Sequence, residues 1–171
     1  DKSRVDAYIE DGTIHRPYKS LAAAVSIATD KAVIKLSSDT YTENIALTAN
    51  VSLVGMGVGK TILTGTVTTG VSGYCSLKEM TVSNNMTIQN ETVVYDVNCT
   101  GNVSINSNVK AYNFNIASTV VHSLAVTAGL VIMDNSTLST SANSPAVVQS
   151  GGTLVLENAE IQNSSATNAT V

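Results

Sequence analysis

Asp134 and Glu157 are the two residues of this chain whose spacing comes nearest to a reaction. Hydrolysis of a glycosidic bond uses two acids about 5 to 10 Å apart, one protonating the leaving oxygen and the other attacking or activating water. If the second half of the chain is a stack of coils, these two fall in one outward column, one coil apart, and meet that distance crudely. Two solvated surface acids would look the same. The column also contains Lys78, Tyr95 and Tyr112, with Asn98 and Asn115 just past a bend. Tyrosine rings lie well against sugar faces and amides bond sugar hydroxyls, so Tyr95, Tyr112, Asn98, Asn115, Asp134 and Glu157 form a candidate carbohydrate-binding set. Stacking of aromatic cross-strand neighbours for stability alone gives the same pattern.

Other chemistry finds less support. His15 and His122 have no Ser, Cys or acid partner at the spacing of a known triad, and no catalytic residue is assigned. Cys75 and Cys99 are too few for a disulfide framework and too isolated for a zinc site, so they are expected as unbonded, small apolar residues; neither a metal nor a cofactor is expected. Gly55, Gly57 and Gly59 precede Lys60-Thr61 in the manner of a phosphate loop, but the pattern needs Gly where Val54 stands and a helix afterwards. With 9 basic and 13 acidic residues, net charge −4 and no Lys/Arg cluster, the chain lacks the footprint of a nucleic-acid binder. Its longest apolar run, Leu21 to Ala28 broken only by Ser26, falls short of the roughly 20 residues of a membrane span, and no membrane insertion is expected. Asn-x-Ser/Thr triplets occur at Asn50, Asn85, Asn90, Asn98, Asn102, Asn135, Asn163 and Asn168. Such triplets mark glycosylated surfaces, but an Asn/Ser/Thr-rich solenoid also generates them by chance, and Asn135 is expected in an inward turn column, out of reach.

The elements that must position these residues are legible in composition. Hydrophobic residues make up 43% of the chain but aromatics only 4%, so the core must be built from Val, Ile, Leu and Ala, which suit stacked strands. A motif recurs: apolar, any, turn residue, apolar or small, any, apolar, any, small polar. It begins at Leu77, Val94, Ala111, Met133 and Leu156, with a weaker first copy at Leu53, so successive copies are 24, 17, 17, 22 and 23 residues apart. One motif at variable spacing means loops of different length on a constant core. The third position reads Gly55, Glu79, Asp96, Asn113, Asn135 and Asn158. Gly, Asn and Asp tolerate a left-handed backbone, so each coil should bend there, and Asn side chains stacked about 4.8 Å apart can bond along the column as a turn ladder; Glu79 fits less well. Upstream, Ser20 followed by Leu21-Ala22-Ala23-Ala24-Val25 predicts an N-capped helix whose apolar face plugs the end of the stack.

The segment Gly12-Thr13-Ile14-His15-Arg16-Pro17-Tyr18-Lys19-Ser20, the helix after it, the strand candidate Ala32 to Leu36, and the turn Asp39-Thr40-Tyr41-Thr42-Glu43-Asn44 together resemble the opening module of pectin-lyase-like proteins. These include pectin methylesterases and many phage tailspike or virion β-helices. The resemblance covers about residues 10 to 66 closely and the rest through the repeat alone. It implies a right-handed parallel β-helix. It implies no activity, because the methylesterase motifs have no counterpart downstream, and a lyase would need a calcium-binding acid cluster and a basic residue where only Lys78 and Lys110 occur.

The expectation is an all-β, single-stranded right-handed parallel β-helix with a short N-terminal capping helix: residues 1–19 an N-terminal extension, 20–30 the cap helix and 31–171 the β-helix. A left-handed solenoid suits the 17-residue turns but not the irregular ones. The chain begins at Asp1 rather than Met, as a processed product or excised piece would. The functional expectation is a non-catalytic structural or adhesive module on an extracellular or virion surface, partnered by other subunits of the assembly, with a homotrimer among the arrangements. The alternative is a carbohydrate-binding or carbohydrate-degrading β-helix with a glycan ligand.

Overall fold

The structure, a computed structural model, describes residues 9–165. These residues form a parallel β-helix with one short helix near its start, and all strand pairings among them are parallel. Parallel neighbours cannot be joined by a tight hairpin, so the chain must travel a full coil before returning beside itself. It does so between two walls. An 11-stranded sheet carries Val33–Lys35, Ser52–Val54, Tyr74–Val82, Glu91–Cys99, Val109–Ser118, Leu130–Asp134 and Thr153–Glu157 side by side. A 6-stranded sheet carries Ile45–Ala46, Val67–Thr68, Met86–Ile88, Val103–Ile105, Leu124–Val126 and Val147–Gln149.

The register follows the motif copies. Ile34, Leu53, Leu77, Val94, Ala111, Met133 and Leu156 are successive partners in one inward column. A second column runs Leu63, Val82, Cys99, Ile116 and Leu138 and leads to Ile161, which is exposed. Facing them, Val67, Met86, Val103 and Leu124 line up on the smaller sheet. Together they make one continuous apolar core in which Leu53, Leu77, Phe114 and Leu124 are fully shielded from water. Each such side chain contributes about 1.5 to 3 kcal/mol by burial.

The bend column is as regular as the core. Glu79, Asp96, Asn113, Asn135 and Asn158 all adopt left-handed backbone, with φ between 49° and 57°. Glu79 therefore makes the same turn as the shorter side chains. In each case the bend resets the alternation: Val94 and Val97 both point inward although three residues apart, as happens where one extra residue is set into a strand. Gly55 departs from this pattern. Its backbone is not left-handed, and the positive φ falls instead on Gly57. Gly55 is required for a different reason: a Cβ there would collide with the carbonyl of Glu79 in the next coil.

The ladder of side chains is likewise partial. Asn113 Nδ2 donates to Asp96 Oδ1 at 2.7 Å, and Asn135 Nδ2 donates to Asn113 Oδ1. At the last step Asn158 Nδ2 turns to Asp134 Oδ1 at 3.0 Å rather than to Asn135. The bend column also faces outward, not inward: Asn135 is exposed, so its amide is restrained by its neighbour rather than buried.

The cap helix spans Leu21–Ile27, shorter than the expected 20–30, because Ala28 turns extended. Ser20 caps it, its hydroxyl accepting from the Ala23 amide at 3.0 Å, while Leu21 and Val25 enter the core. A second acceptor comes from the turn that follows the two-residue strand Thr40–Tyr41. Glu43 Oε2 takes the amides of Leu21 at 2.9 Å and Ala22 at 3.2 Å, satisfying N–H groups that a helix start leaves open. Beside it Tyr41 is buried, its hydroxyl accepting from the Ser37 amide at 3.1 Å. The Tyr-x-Glu turn thus fastens the helix over the end of the stack.

Candidate functional site

Up to the bend, every second residue of the longer sheet points outward, because successive side chains of a strand alternate. One outward column runs Lys78, Tyr95, Tyr112, Asp134 and Glu157, each paired with the next. Beside it lie Val93, Lys110 and Ile132, and then Tyr74, Glu91 and Leu130. Tyr74, Tyr95, Tyr112 and Leu130 remain 40 to 47% exposed, which makes this face the aromatic side of the molecule. Outward positions on the smaller sheet are instead Thr68, Thr87, Ser104, Ala125 and Val148.

The strip is stepped rather than flat. The rings of Tyr95 and Tyr112 stand 6.4 Å apart and tilted by 49°, within the range of a favourable aromatic pair. Next to them a shallow groove of about 280 Å³ is lined by Tyr74, Val93, Lys110, Leu130 and Ile132. A larger cavity of about 430 Å³ lies at the other end of the molecule, between Pro17, Tyr18, the cap helix and the first strand.

The structure brings together only part of the expected carbohydrate-binding set. Tyr95, Tyr112, Asp134 and Glu157 share one column. Asn98 and Asn115 lie beyond the left-handed bends at Asp96 and Asn113, and they form a short ladder of their own: Asn115 Nδ2 donates to Asn98 Oδ1 at 3.1 Å, and Asn115 Oδ1 accepts from the Thr137 amide at 3.2 Å. Asp134 and Glu157 stand next to each other on an open sheet, one strand spacing of about 4.8 Å apart. That spacing lies at the lower end of the roughly 5 to 10 Å that separates the paired acids of glycosidases. Asp134 is further engaged by Asn158.

Sequence reasoning missed the flank of the strip. Tyr74, Glu91, Val93, Lys110, Leu130 and Ile132 precede the motif copies, yet stepping back by two and by four residues from Lys78, Tyr95, Tyr112 and Asp134 reaches the same face, so strand periodicity alone carried the signal.

The remaining candidates take structural places. Cys75 and Cys99 are free and buried; Cys99 sits in the inward column between Val82 and Ile116, as its motif position requires. Burial holds the Cys99 thiol protonated, pushing its pKa up to about 11, and raises that of Cys75 despite its hydrogen bonds with Thr92 and Asn90, to whose Oδ1 the thiol donates. Thiols held protonated are poor nucleophiles and poor metal ligands. Among the glycosylation triplets Asn90 is buried, and Asn168 lies outside the described residues. No known protein family, curated protein or solved structure matches this chain.

Proposed function

We propose that this chain is a non-catalytic structural or adhesive surface module of a larger assembly, of the kind a phage or virus particle carries on its exterior as a decoration, fibre or tail protein. One observation carries the reading: of the polar groups nearest to a chemistry, all but the exposed Glu157 are tied into the scaffold, and the large side chains beside them that face water are contact groups. Asp96, Asn113 and Asn135 bond one another, Asn98 holds Asn115, and Asp134 holds Asn158. Tyr74, Tyr95, Tyr112 and Leu130 remain exposed on a rigid sheet, where side chains of this type make interface contacts. The resemblance of the opening module to pectin-lyase-like proteins, several of which are virion β-helices, supports the setting.

The tyrosine pair and its groove favour a second reading, a carbohydrate-binding or carbohydrate-degrading β-helix. Incubation with a panel of capsular and cell-wall polysaccharides, followed by reducing-end and binding assays, separates the two. The proposal expects no turnover and no retained glycan. Turnover lost in Asp134→Asn and Glu157→Gln, or binding lost in Tyr95→Ala and Tyr112→Ala, would replace it.

A further inference from the structure

We infer that the tyrosine strip is the contact surface for a second copy of this chain, docked face to face and antiparallel. The inference rests on reading the strip as a contact surface and adds the partner. The outward column carries its own complement: Lys78, Tyr95, Tyr112 and Asp134 occupy four successive coils in that order. A two-fold axis lying along the strands, between the coils of Tyr95 and Tyr112, reverses the order of coils and preserves the columns. Lys78 of each copy then meets Asp134 of the other, and Tyr95 meets Tyr112.

The flanking column obeys the same operation. Tyr74 lies two column-steps beside Lys78 and Leu130 two beside Asp134, so the axis lays Tyr74 of each copy on Leu130 of the other. Tyr74 is 47% and Leu130 44% exposed, which leaves both with apolar surface to cover. A parallel face-to-face pair would instead set Lys78 against Lys78 and Asp134 against Asp134, with like charges opposed. A self-complementary patch of this kind gives a closed, symmetric dimer rather than an open fibre.

Size sets the strength. Four coils about 4.8 Å apart and three outward residues about 7 Å apart give roughly 300 to 400 Å² per copy, well under the ~800 Å² of a standard interface. The pair should form at tens to hundreds of micromolar, on the order expected for a small interface, or more tightly where an assembly holds copies close together.

Sedimentation velocity of the full chain across that range tests the arrangement. The wild type should shift from monomer to dimer, and raising salt from about 0.05 to 0.5 M should weaken the shift. Lys78→Glu alone places acid against acid at both symmetric contacts, and Asp134→Lys alone places base against base. Each should weaken association by about tenfold or more. An equimolar mixture of the two variants should restore it, because every contact in the mixed pair is again opposite in sign. Restoration also shows that both variants are folded.

A wild type that stays monomeric, association indifferent to salt, a trimer unaffected by either substitution, or a mixture that stays as weak as its components would each overturn the pairing. A monomer that binds glycan through Tyr95 would assign the strip to sugar. Polysaccharide turnover would remove the non-catalytic reading while leaving this outcome to be decided by sedimentation alone.

Discussion

The coils between Tyr74 and Thr140 and the opening between Ser20 and Gly70 belong to one stack but are held together by different means. In the middle coils one task recurs at one position: a left-handed residue turns the chain at Glu79, Asp96, Asn113 and Asn135, and an apolar residue fills the same inward place above and below. In the opening each contact is made once. Glu43 reaches the helix amides, Tyr41 closes on Ser37, and Gly65 lies so close to the Glu43 carbonyl that any side chain would collide with it. Repetition spreads a task over neighbours, so the spacing of copies can vary from 17 to 24 residues without disturbing the core. An end has no neighbour on one side and must be closed by particular residues.

The largest break in the middle region should come from Phe114→Ala. Phe114 is the chain's only phenylalanine and is fully buried, in an inward column with Met80 and Val97 on one side. On its other side stands Ser136, whose hydroxyl accepts from the Phe114 amide at 3.2 Å. The ring therefore fills the space that a serine leaves in the next coil. Its removal should cost about 3 to 5 kcal/mol of unfolding free energy, measured by urea denaturation. A loss below about 1 kcal/mol would mean that the coils close the gap, and that the middle of the stack is softer than its register suggests.

The same contrast decides what could be read in advance. The bend column and inward partners of the middle coils were legible because left-handed backbone selects Asn and Asp and burial selects Val, Leu and Ile, and both choices repeat. Gly55 looked like another bend residue because glycine serves two purposes, left-handed backbone and close approach, and a sequence does not distinguish them. The outward direction of Asn135 was misjudged because the extra residue at each bend shifts the in-out alternation, which is visible only once the bend is placed. In the candidate site, the column from Lys78 to Glu157 followed from aligned copies, whereas the separation of Asn98 and Asn115 from the tyrosines depended on how the chain turns the corner. The role of Glu43 was not legible at all, since it joins residues 21 and 22 to a turn through a contact made only once.

A smaller effect should separate the two ingredients of the bend. Asn113 has φ of 51°, donates to Asp96 and accepts from Asn135. Asn113→Ala loses both hydrogen bonds and forces a Cβ-bearing residue without a local polar partner into left-handed backbone, at a combined cost of about 2 to 3 kcal/mol. Asn113→Gly loses the same bonds but relieves the backbone, and should be less destabilised than the alanine variant by about 1 kcal/mol. Equal urea midpoints for the two would assign the column to side-chain bonding alone; a glycine variant as stable as wild type would assign it to backbone geometry alone.

The smallest global effect should come from the opening, through Glu43→Ala. The substitution removes the acceptor for the Leu21 and Ala22 amides but leaves the Ser20 cap and the burial of Leu21 and Val25 in place. Loss of a cap costs about 1 kcal/mol, and it falls on a seven-residue helix at the edge of the core, an element that can open without the coils beneath it. The urea midpoint should therefore move little, while amide exchange over residues 21–25 should accelerate roughly fivefold, the rate equivalent of that cost. If Glu43→Ala instead lowers global stability as much as Phe114→Ala, the opening is no separable end but the place from which the stack is organised. The distinction between repeated and single contacts would then concern legibility in the sequence, not strength in the fold.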